Sequence, residues 1–522
     1  MNPRKKISRK SYDVVIVGAG PAGIFAALEL TRKNDWDVLI LEKGFDIPKR
    51  RCPVRGEHLV GCEIGCRPCS ITCGWGGAGA FSDGKLTLSP DVGGWLTDYV
   101  GREGLVELID YVDQIYLDYG APERVHGVDH EHIEEIRQRA MQAGLRLVKD
   151  PIRHMGTDRC PQVLQAMRDD LNGKVEVATR TAVQKLLVTD GRVTGVELED
   201  GKAVGARVVI VAPGREGSAW LAAEAQGMGI RMVNNAVDIG VRVEVPAVVM
   251  RPLTDALYEP KLLYYSKAFE DRVRTFCMNP EGFVSKEAYG DVITVNGHSY
   301  SDRQSGYTNF ALLVSTRFTE PFKEPIAYGR SIAKLANLLG EDILVQRLGD
   351  LQVGQRTTPE RLARSTVKPT LKKCTPGDLS FVLPFRHLRD ILDMLEALDQ
   401  LVPGVNSRET LLYGVEVKFY SARMELSPGL ETKIENLFAI GDGAGVTRGL
   451  VQASASGVIA ARSAIARLGG AGAGKAKAGK LAGKAKVRTQ ATAQGGARTR
   501  KAKARAGKPK QAHPAKPKQA HK

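Results

Sequence analysis

The stretch YDVVIVGAGPAGIFAALEL, residues 12–30, decides the fold. It opens with an apolar run, Val14–Val17, that has the composition of a buried strand, and it ends in apolar residues at helical spacing. The glycine-rich turn GAGPAG, residues 18–23, lies between them, and the next apolar run, DVLILE, ends at Glu42. This order of strand, glycine turn, helix, strand and acidic residue is the dinucleotide-binding fingerprint in the context that it requires.

Each glycine of the turn has its own predicted task. Gly18 permits the tight turn, Gly20 lets the backbone approach a pyrophosphate, and Gly23 lets the helix pack close to the strand. The helix N-terminus offers free N–H groups and a partial positive charge to the phosphates. Glu42, which lies 19 residues after Gly23, can accept hydrogen bonds from the ribose hydroxyls of the adenosine. The other residues that we assign to this site are Pro21, Ala22 and Lys43.

A second glycine motif lies near the C-terminal end, in ENLFAIGDGAGVTRG, residues 435–449. A short apolar strand is followed there by Gly441, Asp442 and Gly443, and then by a long helical pattern. This arrangement is similar to the second FAD motif of glutathione-reductase-like flavoproteins. In those proteins the aspartate binds the ribitol or phosphate end of the flavin, which the resemblance assigns to Asp442. The resemblance also assigns backbone contacts with the cofactor to the two glycines.

A third motif is the segment 175–214, which reads as a run of short strands with tight Asp-Gly turns. It closes on Pro213 and Gly214. It resembles the β-meander and the strand-to-glycine segment of the same flavoproteins. The resemblance assigns cofactor contacts to Val183, Pro213 and Gly214. Three motifs in the order of this family predict that the chain binds FAD.

Taken whole, the chain resembles the family of uncharacterised FAD-dependent dehydrogenases, among the glutathione-reductase-like and aromatic-hydroxylase-like flavoproteins. The matching stretches are GWGGAGAFSDGKLTLS, VNGHSYSDRQSGYTNFALLVS, LYGVEVKFYSARMEL and FAIGDGAGVTRGLVQASASG. The resemblance implies an FAD-dependent oxidoreductase with a two-domain layout. Such an enzyme acts on a small-molecule substrate by hydride or electron transfer through the flavin. The resemblance implies no particular substrate.

The predicted fold class is α/β: a discontinuous Rossmann-like FAD-binding domain with an inserted α+β substrate domain and a disordered basic C-terminal tail. The FAD-binding domain is assigned to residues 11–88, 163–233 and 431–468. A mostly helical insertion, 89–162, separates its first two parts, and the substrate or cap domain, 234–430, separates the last two. No second fingerprint stands in a strand–helix setting, so we expect no dedicated NAD(P) domain. NAD(P)H remains open as a transient donor or acceptor.

Four cysteines, Cys62, Cys66, Cys69 and Cys73, lie in one short segment before a glycine-rich run. Their spacing partly matches iron–sulfur ligation, and a cluster beside a flavin can split two-electron chemistry into single-electron steps. Cys66 and Cys69 also form a C-x-x-C that can act as a redox dithiol. The segment could instead bind zinc, for which four ligands this close are unusual, or form a loop of idle thiols. The cysteine spacing leaves all four interpretations open.

The glycine-rich run that follows, GGAGAFSDGK, is predicted to contact the flavin. Gly77 and Gly79 allow the backbone to approach a flat ligand. Ser82 and Lys85 can donate hydrogen bonds to flavin carbonyls or to phosphate. The alternative is a plain turn.

Three residues are candidates for the chemistry. Flavin hydride transfer needs an oriented substrate, a group that tunes the ring, and often a proton donor. His298 titrates near neutrality, and Arg303 can hold a carboxylate substrate by a bidentate contact. Lys85 is the third candidate. A structural hydrogen bond or a surface salt bridge is the alternative for His298 and Arg303.

The positive charge of the chain is concentrated in its tail. Residues 469–522 contain 16 of the 75 Lys and Arg residues and none of the 59 Asp and Glu, so the remainder is balanced. The tail has no aromatic residue and few large aliphatic ones, so it cannot fold alone. It can bind nucleic acid non-specifically, or it is a solvated appendage. A nucleic-acid-associated flavoprotein, either an RNA-modifying enzyme or a tail-tethered binder, is therefore the alternative function.

The remaining composition argues for a soluble protein. No segment approaches the ~18 consecutive apolar residues of a membrane span. The apolar run after the basic start is broken by glycines and is no secretory signal. Five of the eight cysteines lie between Cys52 and Cys73, unlike a secreted disulfide framework. We expect a cytoplasmic protein that is not in a membrane, and the sequence predicts no oligomeric state.

Overall fold

The computed structural model describes residues 7–469, except 33–34, 53–65, 67, 234, 290, 301–302, 319–321, 323 and 420–421. Both predicted domains lie in one compact unit that ends at Arg467. The tail lies outside the described residues from position 470 onward, so its predicted disorder and its predicted nucleic-acid binding stay predictions.

Strands and helices alternate along most of the described chain. The strands, β1 to β22 in chain order, are Ser11–Val17, Val38–Glu42, Lys85–Thr87, Val125–His126, Arg146–Val148, Ile152–His154, Glu176–Thr179, Val183–Thr189, Arg192–Leu198, Ala203–Val211, Met232–Val233, Val237–Pro246, Lys261–Tyr265, Arg272–Asn279, Phe283–Tyr289, Val292–His298, Tyr307–Thr316, Leu344–Arg347, Thr375–Pro376, Leu411–Lys418, Arg423–Met424 and Leu437–Ala439. The helices, α1 to α11, are Pro21–Thr31, Thr97–Asp118, His130–Gln142, Gly156–Asp170, Ser218–Gly227, Ala247–Leu257, Pro325–Gly340, Leu348–Gln352, Pro359–Arg364, Phe385–Leu401 and Leu450–Gly469. Short 3-10 turns are Ile47–Lys49, Gly77–Phe81, Arg215–Gly217, Leu379–Phe381 and Asp442–Ala444.

The first sheet carries the fingerprint. Its strand order is β7–β2–β1–β10–β9–β8, and β22 also pairs with β10. The strands β7, β2, β1, β10 and β22 run parallel. The middle strand β1 is buried from Val14 to Val17, as an unbroken apolar run in a parallel sheet predicts. The carboxyl ends of β1, β10 and β22 therefore meet at one edge, where a doubly wound sheet binds its ligand.

The second sheet forms the cap domain. Its strand order is β19–β18–β20–β12–β17–β14–β13–β5. Strand β12 pairs antiparallel with β17 along its whole length and is buried almost throughout, because α6, α7 and α10 pack against it. The apolar residues of these elements form one continuous core.

The segment 89–162 connects the two sheets. It contains α2, α3 and the start of α4. It also supplies β5, which pairs with β13 of the cap sheet, and it supplies β4 and β6, which form a small sheet with β3. The segment predicted to be a helical insertion therefore also contributes an edge strand to the cap sheet.

The predicted fold class is confirmed: a parallel α/β domain with an inserted, largely antiparallel domain. In the part of the chain that the structure describes, none of the helices has both the length and the apolar character needed to cross a membrane.

Candidate FAD-binding and substrate site

Two glycines of the fingerprint are required by the packing of the backbone. Gly18 has a φ of +105°, and a Cβ there would lie 2.2 Å from the carbonyl oxygen of Ala212. A Cβ on Gly23 would lie 2.0 Å from the carbonyl oxygen of Gly18. The turn is fixed to both neighbouring strands, because Gly18 N donates to Leu41 O at 2.8 Å and Ala212 N donates to Val17 O at 2.7 Å. A side chain at either glycine would push the turn away from the sheet.

Gly20 differs from these two glycines because the space around it is open. It precedes α1 in an extended conformation, and a Cβ there would have nothing within 4 Å. The N–H groups of the first turn of α1 have no partner inside the helix, and the helix dipole places partial positive charge there. Pro21 occupies the first helical position, where a missing N–H costs nothing. The result is an open cradle of backbone groups that suits an anion.

Two other sequence motifs border this cradle. A Cβ on Gly77 would lie 3.1 Å from the Cα of Gly20. A Cβ on Gly441 would lie 3.1 Å from the Cβ of Ala22. Motifs that are far apart in the sequence therefore meet at the start of α1, as the resemblance implies.

The Asp442 turn adjoins the end of the third motif. A Cβ on Gly443 would lie 2.5 Å from the carbonyl oxygen of Gly214. Asp442 accepts a hydrogen bond from Thr447 Oγ1 at 2.8 Å and lies 4.0 Å from Arg215 Nε. Burial raises the pKa of the Asp442 carboxyl, and Arg215 and Thr447 oppose that rise. Sequence reasoning missed Arg215 and Thr447, although each closely follows a glycine motif, which is the signal that could have found them.

Glu42 is buried at the end of β2, where three backbone amides converge on it. Its Oε2 accepts from Ala19 N at 2.9 Å, and its Oε1 accepts from Gly44 N at 2.7 Å and from Gly74 N at 2.9 Å. The carboxylate therefore fixes the fingerprint turn to the loop that follows β2. The predicted contact of Glu42 with ribose hydroxyls stays a prediction.

Arg50, which sequence reasoning also missed, holds the loop that carries the cysteines and glycines. Its buried guanidinium donates to the carbonyl oxygens of Ser70, Ile71, Trp75 and Gly77 at 2.6–3.0 Å. A planar group with several donors can bind several carbonyls at once. No spacing in the sequence singles out Arg50, because its partners are main-chain atoms.

The predicted contacts Gly79 and Ser82 lie in the same loop. A Cβ on Gly79 would lie 2.7 Å from the side chain of Leu450 at the start of α11. Ser82 Oγ donates to Gly79 O at 2.9 Å and accepts from Gly84 N at 3.2 Å. The hydroxyl therefore stabilises the loop itself, and its predicted contact with the flavin stays a prediction.

Lys85 belongs to a buried network of charges between the glycine loop and the cap sheet. Its Nζ lies 2.7 Å from Glu259 and 3.0 Å from Asp83. Glu259 also binds Lys261 at 2.7 Å, and Lys261 reaches Asp150 at 3.2 Å. The network thus joins β3 to β13 through alternating charges.

The charges of this network alter one another's titration. Burial lowers the pKa of Lys85, but Asp83 and Glu259 outweigh burial and hold that pKa well above its ordinary value. Burial would raise the pKa of Glu259, but Lys261 and Lys85 lower it to about 2. Asp150 is the exception, because burial outweighs Lys261 and raises its pKa to about 6.

A cavity of about 210 Å³ lies beside this network. Met155 N donates to Gly84 O at 3.0 Å and Gly156 N donates to Asp83 O at 3.1 Å, so one wall is bonded to the glycine loop. The other wall belongs to the cap domain. The lining residues are His154, Gly156, Tyr258, Pro280, Glu281, Ser299, Tyr300 and Gln304.

Comparison with known families agrees with this geometry. Residues 237–419 match the family described as FAD-dependent protein, C-terminal domain-like, and residues 13–48 match the FAD binding domain. Residues 372–471 match Glucose inhibited division protein A. The chain is an FAD-dependent flavoprotein. The predictions of FAD and of the FAD-dependent oxidoreductase class are confirmed.

The flavoprotein is similar to a Clostridium beijerinckii protein that carries the name uncharacterized protein. The two are 27% identical over 483 residues, which cover 85% of this chain and 79% of that one. Among solved structures, quinol fumarate reductase of E. coli is 16% identical with a TM-score of 0.39, over 92% of this chain and 74% of that one. A 3-ketosteroid dehydrogenase of Rhodococcus jostii is 15% identical with a TM-score of 0.40. The match covers 89% of this chain and 99% of that one.

The predicted cysteine site of the flavoprotein is only partly described, since Cys62 lies outside the described residues. Cys66 is exposed, Cys69 is half-buried and Cys73 is buried. Burial raises the pKa of the Cys73 thiol, which disfavours the thiolate, although Lys43 opposes that rise. Among the residues with described positions, no three or more His, Cys, Asp or Glu side chains are grouped to hold a metal ion. The iron–sulfur ligands stay a prediction.

Other predicted residues of the flavoprotein lie around the cavity or away from it. His298 is exposed at the end of β16, and the Arg303 guanidinium stacks over the Tyr300 ring at 3.9 Å. Neither belongs to the described cavity lining. Val183 begins β8, and Lys43 lies 3.7 Å from Glu216. The roles assigned to His298, Arg303, Val183 and Lys43 stay predictions.

Proposed function

We propose that the flavoprotein oxidises or reduces a small organic molecule that binds in the cavity between the FAD-binding and cap domains. The position of the cavity carries this proposal. One wall comes from loops between elements of the cap domain, and the other comes from a segment bonded to Gly84 and Asp83 of the glycine loop. A cavity of about 210 Å³ suits a molecule of modest size.

The same proposal assigns the cofactor to the cradle at the start of α1. The open space at Gly20 and the backbone N–H groups of the helix suit the pyrophosphate. Glu42 borders the adenosine end, and Asp442 with Arg215 borders the ribitol end. When bound, FAD supplies two-electron redox chemistry that amino-acid side chains do not provide.

The residues of the chain then have three tasks. Loops of the cap domain cover one side of the cavity and limit its contact with water, which strengthens electrostatic interactions inside it. The Lys85 network fixes the glycine loop against the cap through ion pairs of 2.7 and 3.0 Å. Polar side chains of the lining, such as Ser299 and Gln304, orient the substrate.

A cavity-filling variant tests this assignment. Ser299→Phe places a ring in the cavity but touches none of the three glycine motifs, and Ser380→Phe makes the same change at an exposed position. Both variants should bind FAD like the wild type. A panel of alcohols, amines and organic acids identifies a compound that reduces the bound flavin of the wild type without oxygen. We expect that reduction to be lost in Ser299→Phe and kept in Ser380→Phe, and equal reduction by both would contradict the proposal.

Two further predictions about electron transfer have direct tests. Iron and sulfide analysis of the anaerobically purified protein tests the cluster predicted at Cys62, Cys66, Cys69 and Cys73. Stopped-flow reduction of the bound flavin by NADH or NADPH tests the predicted nicotinamide donor. The proposed function requires neither result, because the cavity and the cradle are built from other residues.

A further inference from the structure

The cavity wall contains a tyrosine between two imidazole rings. The ring of Tyr258 lies 4.9 Å from that of His154 and 5.1 Å from that of His126. Tyr258 Oη lies 3.4 Å from His154 Nε2. Tyr258 and His154 line the cavity, whereas His126 does not. The pair therefore presents a hydroxyl and an imidazole to any bound molecule.

The surroundings hold this pair in defined protonation states. Burial lowers the pKa of His154, so its imidazole is neutral at pH 7 and can accept a proton. Burial raises the pKa of Tyr258, so its phenol keeps its proton, although Lys85 opposes that rise. The Lys85 ammonium lies 5.5 Å from the centre of the Tyr258 ring. Asp83, Glu259 and His126 are the other titratable groups that act on the pair.

Tyr258 is also held in an unusual backbone conformation. It ends α6 with φ +60° and ψ −58°, in the half of conformational space that favours glycine. A side chain in such a position persists only where the surrounding structure determines it, and such positions cluster at functional sites. The contacts with two imidazoles and with the Lys85 network are the packing that determines it here.

The rest of the lining indicates the class of ligand. The hydroxyl of Ser299 and the amide of Gln304 are uncharged, and the Glu281 carboxylate is paired with Arg251 at 3.2 Å. Within the described lining, an added carboxylate or ammonium would find no unpaired opposite charge. Pro280 and the aromatic carbons of Tyr258 and Tyr300 give the lining an apolar part. A neutral, partly apolar molecule with a hydroxyl group matches this wall.

We infer that the substrate is a neutral alcohol and that His154 accepts the proton of the substrate hydroxyl through the Tyr258 hydroxyl that is hydrogen-bonded to it. This inference rests on the proposed function, with FAD as the oxidant. With FAD bound as the oxidant, the carbinol C–H bond would break and its electron pair would leave with the hydrogen as a hydride. The substrate O–H bond would break as its proton moves to Tyr258 Oη and the proton of Tyr258 moves to His154 Nε2. A carbonyl would form, and the imidazolium would later release its added proton to water. Lys85 is a positioning residue, because it acts through Tyr258.

Binding of three matched probes tests the ligand class without turnover. Benzyl alcohol, benzylamine and benzoate share one ring and differ in charge. Titrations of the FAD-loaded protein at pH 7.5, followed by flavin absorbance and by calorimetry, should show benzyl alcohol binding at least about tenfold more tightly than either charged probe. In ¹³C-histidine NMR, benzyl alcohol should shift a resonance that is missing in His154→Gln. Tighter binding of benzylamine or benzoate, or no binding of the alcohol, would overturn the ligand class.

Kinetics of the same protein test the proton acceptor. His154→Gln should reduce the rate constant for alcohol-dependent flavin reduction by about 10²-fold or more. The Kd of benzyl alcohol should change less than about threefold, and the rate should lose its dependence on pH below neutrality. His130→Gln is the matched control and should keep the wild-type rate, since this histidine is exposed and lies outside the cavity lining. Equal rates in His154→Gln and wild type would overturn the role of His154.

The two levels of proposal fail in different ways. If no probe and no compound of the wider panel reduces the flavin, the proposed function fails, while the binding and NMR results still decide the ligand class. If an amine or an acid reduces the flavin and the alcohol does not, the proposed function stands and the inference fails.

Discussion

The cradle of the FAD-binding domain and the interior of the cap domain are built from different groups. The cradle at the start of α1 consists of backbone groups and glycines, and a Cβ at Gly20 would have nothing within 4 Å. The cap contributes buried charges instead. Arg242 and Glu416 are both fully buried and lie 3.0 Å apart on neighbouring strands. The cradle presents its main chain to a ligand, and the interior of the cap sheet holds an ion pair out of water.

This difference explains which features of each region can be recognised from the sequence. A backbone that must approach a ligand needs glycine at fixed spacing along one short segment, so the fingerprint is readable directly. An ion pair such as Arg242–Glu416 joins strands that are far apart in the chain, and nothing local marks it. The comparison therefore predicts that glycine changes affect FAD binding and that charge changes affect the stability of the cap.

The largest expected effect is loss of the buried arginine. Arg242→Met removes the guanidinium that binds Glu416, Asn309 Oδ1 at 2.7 Å and Cys277 O at 2.6 Å. It leaves a buried carboxylate with less compensation, although Lys418 remains 3.1 Å from Glu416. We expect the free energy of unfolding to fall by about 3–5 kcal/mol, measured by urea denaturation.

An exposed pair provides the control for this variant. Arg192 and Glu435 lie 2.7 Å apart, and their side chains are 57% and 45% exposed. Arg192→Met should lower the free energy of unfolding by only about 0–1 kcal/mol. Equal costs for the two arginine variants would contradict the view that the cap depends on its buried charges.

The next effect separates two glycines of one turn. Gly18→Ala forces a side chain into a φ of +105° and places its Cβ 2.2 Å from a carbonyl oxygen. We expect strain and overpacking to lower the free energy of unfolding of the FAD-free protein by about 3 kcal/mol. The methyl group of Gly20→Ala enters open space. The free energy of unfolding of the FAD-free variant should therefore lie within about 0.5 kcal/mol of the wild-type value. Its Kd for FAD should still rise at least about tenfold, because the methyl group occupies space meant for the ligand.

Urea denaturation of the FAD-free proteins and fluorescence titration with FAD measure both effects. Wild-type FAD affinity in Gly20→Ala would show that the cofactor does not approach this turn.

A smaller effect depends on pH. Burial raises the pKa of Asp150 from 3.8 to about 6 in the folded protein. The folded protein thus keeps a proton that the unfolded chain has already lost. The stability from this group is fully present below about pH 4 and is lost as the pH rises through 6. As the pH rises from 4 to 8, the free energy of unfolding of wild type should therefore fall by about 2–3 kcal/mol relative to that of Asp150→Asn.

Thermal and urea unfolding of both proteins across this pH range measure that difference. A difference in stability that stays constant from pH 4 to 8 would show that Asp150 titrates normally despite its burial.

The smallest effect concerns the glycine loop. Ser82→Ala removes a hydroxyl that donates to Gly79 O at 2.9 Å. The loss of this hydrogen bond should cost about 1 kcal/mol of stability and should change the Kd for FAD less than about threefold, measured by fluorescence titration. Gly20→Ala provides the comparison for a true loss of affinity. A tenfold weaker Kd in Ser82→Ala would instead establish the flavin contact that the sequence predicts.

The sequence predicted the FAD-binding half well because its motifs obey local rules. A strand, a glycine turn and a helix can be read within 19 residues, and the two later motifs follow the order of a known family. The structure brings Gly20 and Gly77 together and places Gly441 beside Ala22, and the cofactor contacts assigned to them stay predictions. Arg215 and Thr447 escaped notice, although both stand next to these motifs.

The cap half could not be predicted in the same way. Lys85 was chosen for its place in the glycine loop, but its partner Glu259 precedes β13 in the cap domain, far along the chain. His154 and Tyr258 are 104 positions apart, and no spacing connects them. A site made of side chains from distant strands exists only once the topology is known.

We expect the three glycine motifs to build one FAD site in this chain. The most direct measurement is the absorption spectrum of the anaerobically purified protein, with the extracted flavin quantified against the chain and repeated after reconstitution with FAD. We expect the flavin absorption bands and one FAD per chain for wild type, and a clearly lower FAD content for Gly20→Ala. A wild-type protein that binds no FAD even after reconstitution would contradict this expectation.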